Sequence, residues 1–124
     1  MNIRPLRTSG FTLIEIVIVV AIIALFTAIA VPSFVHARTP SQRTACINNL
    51  RQVHSAVQQW ALERNAAPDA TVTFEDISSY LRMEVICPAG GRTFSDSYTI
   101  NGVTNRPTCQ KLPATHILPN DIAN

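Results

Sequence analysis

Lysine is nearly absent from this chain. Lys111 is the only one in 124 residues, and charged side chains make up just 15% of the sequence. Without clustered Lys and Arg there is no electrostatic footprint for nucleic acid. No Cys-x-x-Cys occurs and the three histidines are scattered, so the sequence carries no signal for haem attachment and only a weak one for a metal. Nucleophile motifs, glycine-rich phosphate loops and paired-carboxylate clusters are missing too. Gly90-Gly91 reads as a tight turn. Nothing points to an enzyme or to a bound cofactor.

What is present is a long apolar run, Phe11–Val35, behind a short polar leader that holds Arg4 and Arg7. About twenty apolar residues cross a hydrocarbon core, so the run is long enough to span. Two other readings compete. A cleaved signal peptide could end at Ala28-Ile29-Ala30, but the run exceeds the roughly 7–15 residues of a signal core. A buried core helix would need a larger surrounding protein. Length and flanks favour the membrane helix. Arg4 and Arg7 precede it, Arg38 and Arg43 follow it, and the α-amino group tips the N-terminus inward.

Glu15 stands inside this run. An ionised side chain at a membrane helix centre costs roughly 2.5–3.5 kcal/mol, and less near an end. One reading leaves Glu15 at the headgroup boundary, where snorkelling relieves it. The other gives it a cation from a neighbouring molecule, such as the amine freed by cutting between Gly10 and Phe11.

Gly10-Phe11-Thr12-Leu13-Ile14-Glu15 after a basic leader resembles the processing motif of type IV pilins and type II secretion pseudopilins. The resemblance covers Met1 to about Ala37. It implies a leader (1–10) cut after Gly10 by a membrane prepilin peptidase, and methylation of Phe11. It implies a filament-core helix (11–37) in which Glu15 and Pro32 serve assembly, with a membrane assembly machinery as partner. The implied product is a homo-oligomeric helical filament whose subunits wait as single-pass proteins of the inner membrane, head exported. A filament of this type grows through contacts that do not close on themselves. Around Pro32, and again near Thr39-Pro40, the long helix is expected to bend or open.

The residues after Arg38 (38–124) read as an exported head. Cys46, Leu50, Val53, Val57 and Trp60 recur at spacings of three and four, with Ile47 and Ala61 widening the stripe, which predicts an amphipathic helix over 41–65. His54 borders that stripe and reads as a packed histidine. Thr73-Phe74-Glu75-Asp76 signals a short helix over 74–82. The region 92–110 reads as a β-hairpin: strands at Arg92–Ser95 and Tyr98–Ile100, a two-residue turn at Asn101-Gly102, and a return through Val103-Thr104. The predicted class is α+β, a long helix whose second half packs on a small antiparallel β head.

Three cysteines in an exported head suggest a disulfide. Cys87 and Cys109 bracket the predicted hairpin and are the expected pair, leaving Cys46 as a buried thiol. All three pairings remain open on sequence. Such a bridge contributes roughly 3–4 kcal/mol in the chain-entropy model. No metal is expected: after Gly90 the acids are Asp96 and Asp121, too few for calcium. Two alternatives stand beside the filament subunit. One is a membrane-tethered binding module that never polymerises. The other is a DNA-uptake minor pilin, which the neutral charge balance left without Arg4 and Arg7 argues against.

Overall fold

The computed structural model describes residues 9–120; Arg4, Arg7 and Asp121 lie outside them. The chain divides into two units, one ending at Ala37 and the other beginning at Arg38. Helix α1, Leu13–Arg64, runs from the first into the second.

In the first unit every side chain from Phe11 to Val35 is exposed, Leu25 and Phe26 by 69% and 70%. A helix this apolar with no buried face needs lipid or other helices around it. It is long and apolar enough to cross a membrane. Thr27, one of its few polar residues, donates its hydroxyl to Ile23 O at 2.7 Å, so that group is satisfied within the helix. The expected opening at the prolines is absent. α1 stays helical through Pro32 and through Thr39-Pro40, because each proline removes one ladder bond while the turns on either side remain bonded. The long helix expected from the sequence, apolar half and amphipathic half together, is α1.

In the second unit the predicted stripe is the core. Cys46, Leu50, Val53, Ala56, Val57, Trp60 and Ala61 are buried, and Ile47 is half-buried. α1 ends at Asn65, whose φ of 47° is left-handed. Beyond it the Ala66 amide donates back to Ala61 O at 2.9 Å, which satisfies a terminal carbonyl. Helix α2, Phe74–Ile77, passes into a 3₁₀ turn at Ser78–Tyr80, close to the predicted short helix. Val72, Ile77, Val85, Phe94, Tyr98 and Leu118 close over the stripe.

The β region differs from expectation. Arg92–Ser95 is not a strand: α3, Phe94–Ser97, occupies it. The Asp96 amide donates to the Thr93 hydroxyl at 3.3 Å, an N-cap that starts a helical turn where alternation alone suggested a strand. Strands β1, Tyr98–Thr99, and β2, Thr108–Cys109, pair antiparallel with Tyr98 opposite Cys109. Between them lies a broad loop and not a two-residue turn. Other partners hold it: Gln58 Nε2 donates to Val103 O at 2.9 Å, and the Thr104 hydroxyl to Pro68 O at 2.6 Å. Those bonds carry Val103-Thr104 away from the β1 edge. The α+β class stands, with a sheet smaller than predicted.

Candidate functional site

At the N-terminal end of α1 the Thr12 amide and hydroxyl both donate to Glu15 Oε2, at 2.7 and 2.8 Å. This is a capping box, the reciprocal arrangement that satisfies free amides at a helix start. Thr12-x-x-Glu15 was legible as one, and the sequence reading missed it. Both bonds fall on Oε2, so Oε1 has no donor among the described residues. A Cβ placed on Gly10 would meet nothing within 4 Å. Nothing inside the described chain therefore demands glycine there. Pro32 lies on the exposed part of the helix.

A second constellation lies in the head. Cys87 Sγ stands 3.7 Å from Cys46 Sγ and 3.6 Å from Cys109 Sγ. His116 Nδ1 points into the same space, 3.9 Å from Cys87 Sγ and 4.0 Å from Cys109 Sγ. All four ligating atoms fall within 4.8 Å of one another, and each residue is at most 2% exposed. The expected Cys87–Cys109 bond is not formed; all three thiols are free. Cys87 is shared between two sulfurs instead of committed to one. The expectation of no metal overlooked this cluster, because its members come from α1, a loop, β2 and a C-terminal loop.

Local structure places each member. Cys46 belongs to the buried stripe of α1. Cys87 opens a turn in which the Gly91 amide donates to Cys87 O at 2.8 Å and Gly90 adopts φ of 105°. A Cβ at Gly91 would lie 2.8 Å from Cys87 N and 2.1 Å from Ser97 Oγ, so the turn needs glycine at that position for space. Cys109 faces inward from β2 opposite Tyr98. The His116 amide donates to Leu112 O at 2.9 Å, which folds the C-terminal loop back over the cluster.

Burial pushes the Cys46 thiol well above its ordinary range, opposed by the Tyr98 hydroxyl, which donates to its sulfur at 3.6 Å. Burial also raises Cys87, opposed by a hydrogen bond from the Ala89 amide. His116 is lowered by burial first and then by the Arg43 charge, so it stays neutral with a lone pair to offer. Asn49 Nδ2 donates to Tyr98 Oη at 3.1 Å and to Ile86 O at 2.9 Å, fixing the phenol beside Cys46.

Gly10-Phe11 thus stands just ahead of an exposed apolar helix whose first turn carries a capped Glu15. Residues 6–31 match the prokaryotic N-terminal methylation motif. Two type IV pilus subunits are similar to the chain. It is 38% identical over 63 residues to a type IV major pilin of Myxococcus xanthus, covering 51% of this chain and 29% of that protein. It is 28% identical over 104 residues to the major component of the type IV narrow pilus of Thermus thermophilus, covering 84% of this chain and 80% of that one. The chain thus spans under a third of the first relative and most of the second. No solved structure matches it significantly.

Proposed function

We propose that this chain is a structural, non-catalytic subunit of a type IV pilus-like filament. Prepilin peptidase cuts it after Gly10 and Phe11 is methylated. It waits in the inner membrane by its apolar helix with the head exported, then enters a homo-oligomeric filament through the membrane assembly machinery. The observation that carries the reading is the apolar helix exposed on all sides from Phe11 to Val35 and opened by Glu15. Lipid covers such a surface before assembly, and sister helices cover it afterwards. The two relatives, both named as major pilus subunits, favour a pilus over a secretion pseudopilus.

Each motif residue has a role on this reading. Gly10 fits the peptidase, since no contact among the described residues requires glycine there. Glu15 uses Oε2 for its own cap and offers Oε1 to the new amine of a neighbouring subunit, which sets axial register and pairs a charge that hydrocarbon disfavours. Pro32 leaves a backbone carbonyl without its ladder partner, a place where α1 can open during packing. The test combines N-terminal mass analysis with electron microscopy. Glu15→Ala should give a processed, methylated chain that begins at Phe11 but few filaments. Gly10→Trp should give the unprocessed, heavier chain. Abundant normal filaments from Glu15→Ala would remove the assembly role, and a mature protein that begins elsewhere would remove the reading altogether.

A further inference from the structure

We propose that Cys46, Cys87, Cys109 and His116 form a structural zinc site that ties the head together. The site stands apart from the assembly motif and holds whether or not the chain polymerises. Three thiolates and one imidazole are a ligand set that closed, four-coordinate zinc sites use.

Geometry is the first argument. A tetrahedron with Zn–S bonds of ~2.3 Å has S···S edges of about 3.8 Å, and Cys87 Sγ lies 3.7 and 3.6 Å from the sulfurs of Cys46 and Cys109. The S···N edges of such a site are about 3.6 Å with Zn–N of ~2.1 Å, and His116 Nδ1 lies 3.9 and 4.0 Å from two of the sulfurs. An ion at the centroid draws the imidazole inward by a few tenths of an ångström. A disulfide would single out two sulfurs, strand the third, and give a fully buried imidazole nitrogen nothing to face.

The surroundings are the second argument. A zinc ion with three thiolates and a neutral imidazole carries a net charge of −1. Donors already point at its sulfurs: the Tyr98 hydroxyl at Cys46 and the Ala89 amide at Cys87. Arg43 is the cation whose field reaches His116. Hydrogen bonds that orient ligands in this way hold and tune a metal. With four protein ligands the site has no open position, so it is structural and not catalytic.

The fold supplies the third argument. Beyond α1 the described part of the head has single-turn helical segments, a two-stranded sheet of two residues per strand, and loops, so hydrogen-bonded ladders contribute little. A head of this size commonly relies on disulfides or a metal. One ion here would link the stripe of α1 to three loop and strand segments distant in sequence. On binding, three thiol protons leave to solvent as three Zn–S bonds form, and neutral His116 donates its Nδ1 lone pair. No redox change is involved.

The experiment uses the full chain, purified in detergent from cells grown with zinc. Elemental analysis should find about one zinc per chain. Alkylation in denaturant with chelator and without reductant should label all three cysteines. Cobalt substituted for zinc should give the intense visible bands of a tetrahedral thiolate site. His116→Cys should keep one metal per chain and shift those bands towards an all-sulfur site. His116→Ala should weaken binding by at least ~10-fold. A metal-free chain two hydrogens lighter, with a single alkylated cysteine, would overturn the proposal in favour of a disulfide. A metal-free chain with three free thiols, a weak octahedral cobalt spectrum, or an unchanged spectrum in His116→Cys would overturn it as well. His116→Cys and the thiol count keep the test decisive even where His116→Ala does not fold.

Discussion

His54 is buried to 5% exposure on the stripe of α1, and its Nδ1 has no hydrogen-bond partner among the described residues. Burial first, and the Arg106 charge second, hold its pKa below the usual value. The native state then binds fewer protons than the unfolded chain once pH falls below about 6.5, where a free histidine begins to charge. The stability His54 permits is complete above that pH and is lost as pH falls through the lower, folded value. His54→Leu should therefore raise the melting temperature at neutral pH, by roughly 1 kcal/mol of stability for removing an unpaired buried nitrogen. It should also flatten the decline that sets in as pH falls below about 6.5. Thermal melts across that range check both, and an equal decline in parent and variant would show that His54 does not carry it. The packed reading of His54 was available from its place beside the stripe. Its unpaired nitrogen was not, because that depends on what covers the helix.

Among the elements, one local device recurs. Thr12 with Glu15, Thr73 with Asp76, and Thr93 with Asp96 each start a helical segment, the threonine spaced three residues from an acid. In the second, the Thr73 amide and hydroxyl donate to Asp76 Oδ2 at 2.9 and 2.7 Å. Those bonds, the hydroxyl's first, hold the Asp76 carboxyl below its usual range. A depressed carboxylate adds stability above the ordinary value of about 4 and loses it as pH falls further. Thr73→Ala should therefore lower the melting temperature at pH 7, and the gap from the parent should narrow as pH falls below the ordinary aspartate value of about 4. A gap that persists in acid would mean that the threonine acts through something other than Asp76. The same three-residue rule explains the failed strand at Arg92–Ser95. Thr93-x-x-Asp96 offered the backbone a helical start, and period-two alternation over four residues was too short a signal to outweigh it.

At the scale of the whole molecule, one unit is stabilised by burying its own stripe and the other only by what surrounds it. Ile23 lies near the middle of the exposed run and is 58% exposed. Ile23→Asp should weaken membrane insertion by about 2.5–3.5 kcal/mol, seen as a chain that leaves the membrane fraction on alkaline extraction while the head keeps its melting transition. Full retention in the membrane would contradict a spanning role. The contrast with Glu15 is one of depth and partner. Glu15 sits in the first turn with a cap of its own, and an aspartate at position 23 has neither.

The sequence by itself determined the N-terminal methylation motif, a helix long and apolar enough to cross a membrane, the amphipathic stripe from Cys46 to Ala61 and the site where α1 ends. Each is written in residues within a few turns of one another, so periodicity, caps and length suffice to read it. Only the tertiary structure decided how the strands pair and what the cysteines meet. Val103 follows Gln58 and not β1, and Cys46, Cys87, Cys109 and His116 share one buried point. Convergence of that kind depends on how loops close over a helix, and no local spacing encodes it.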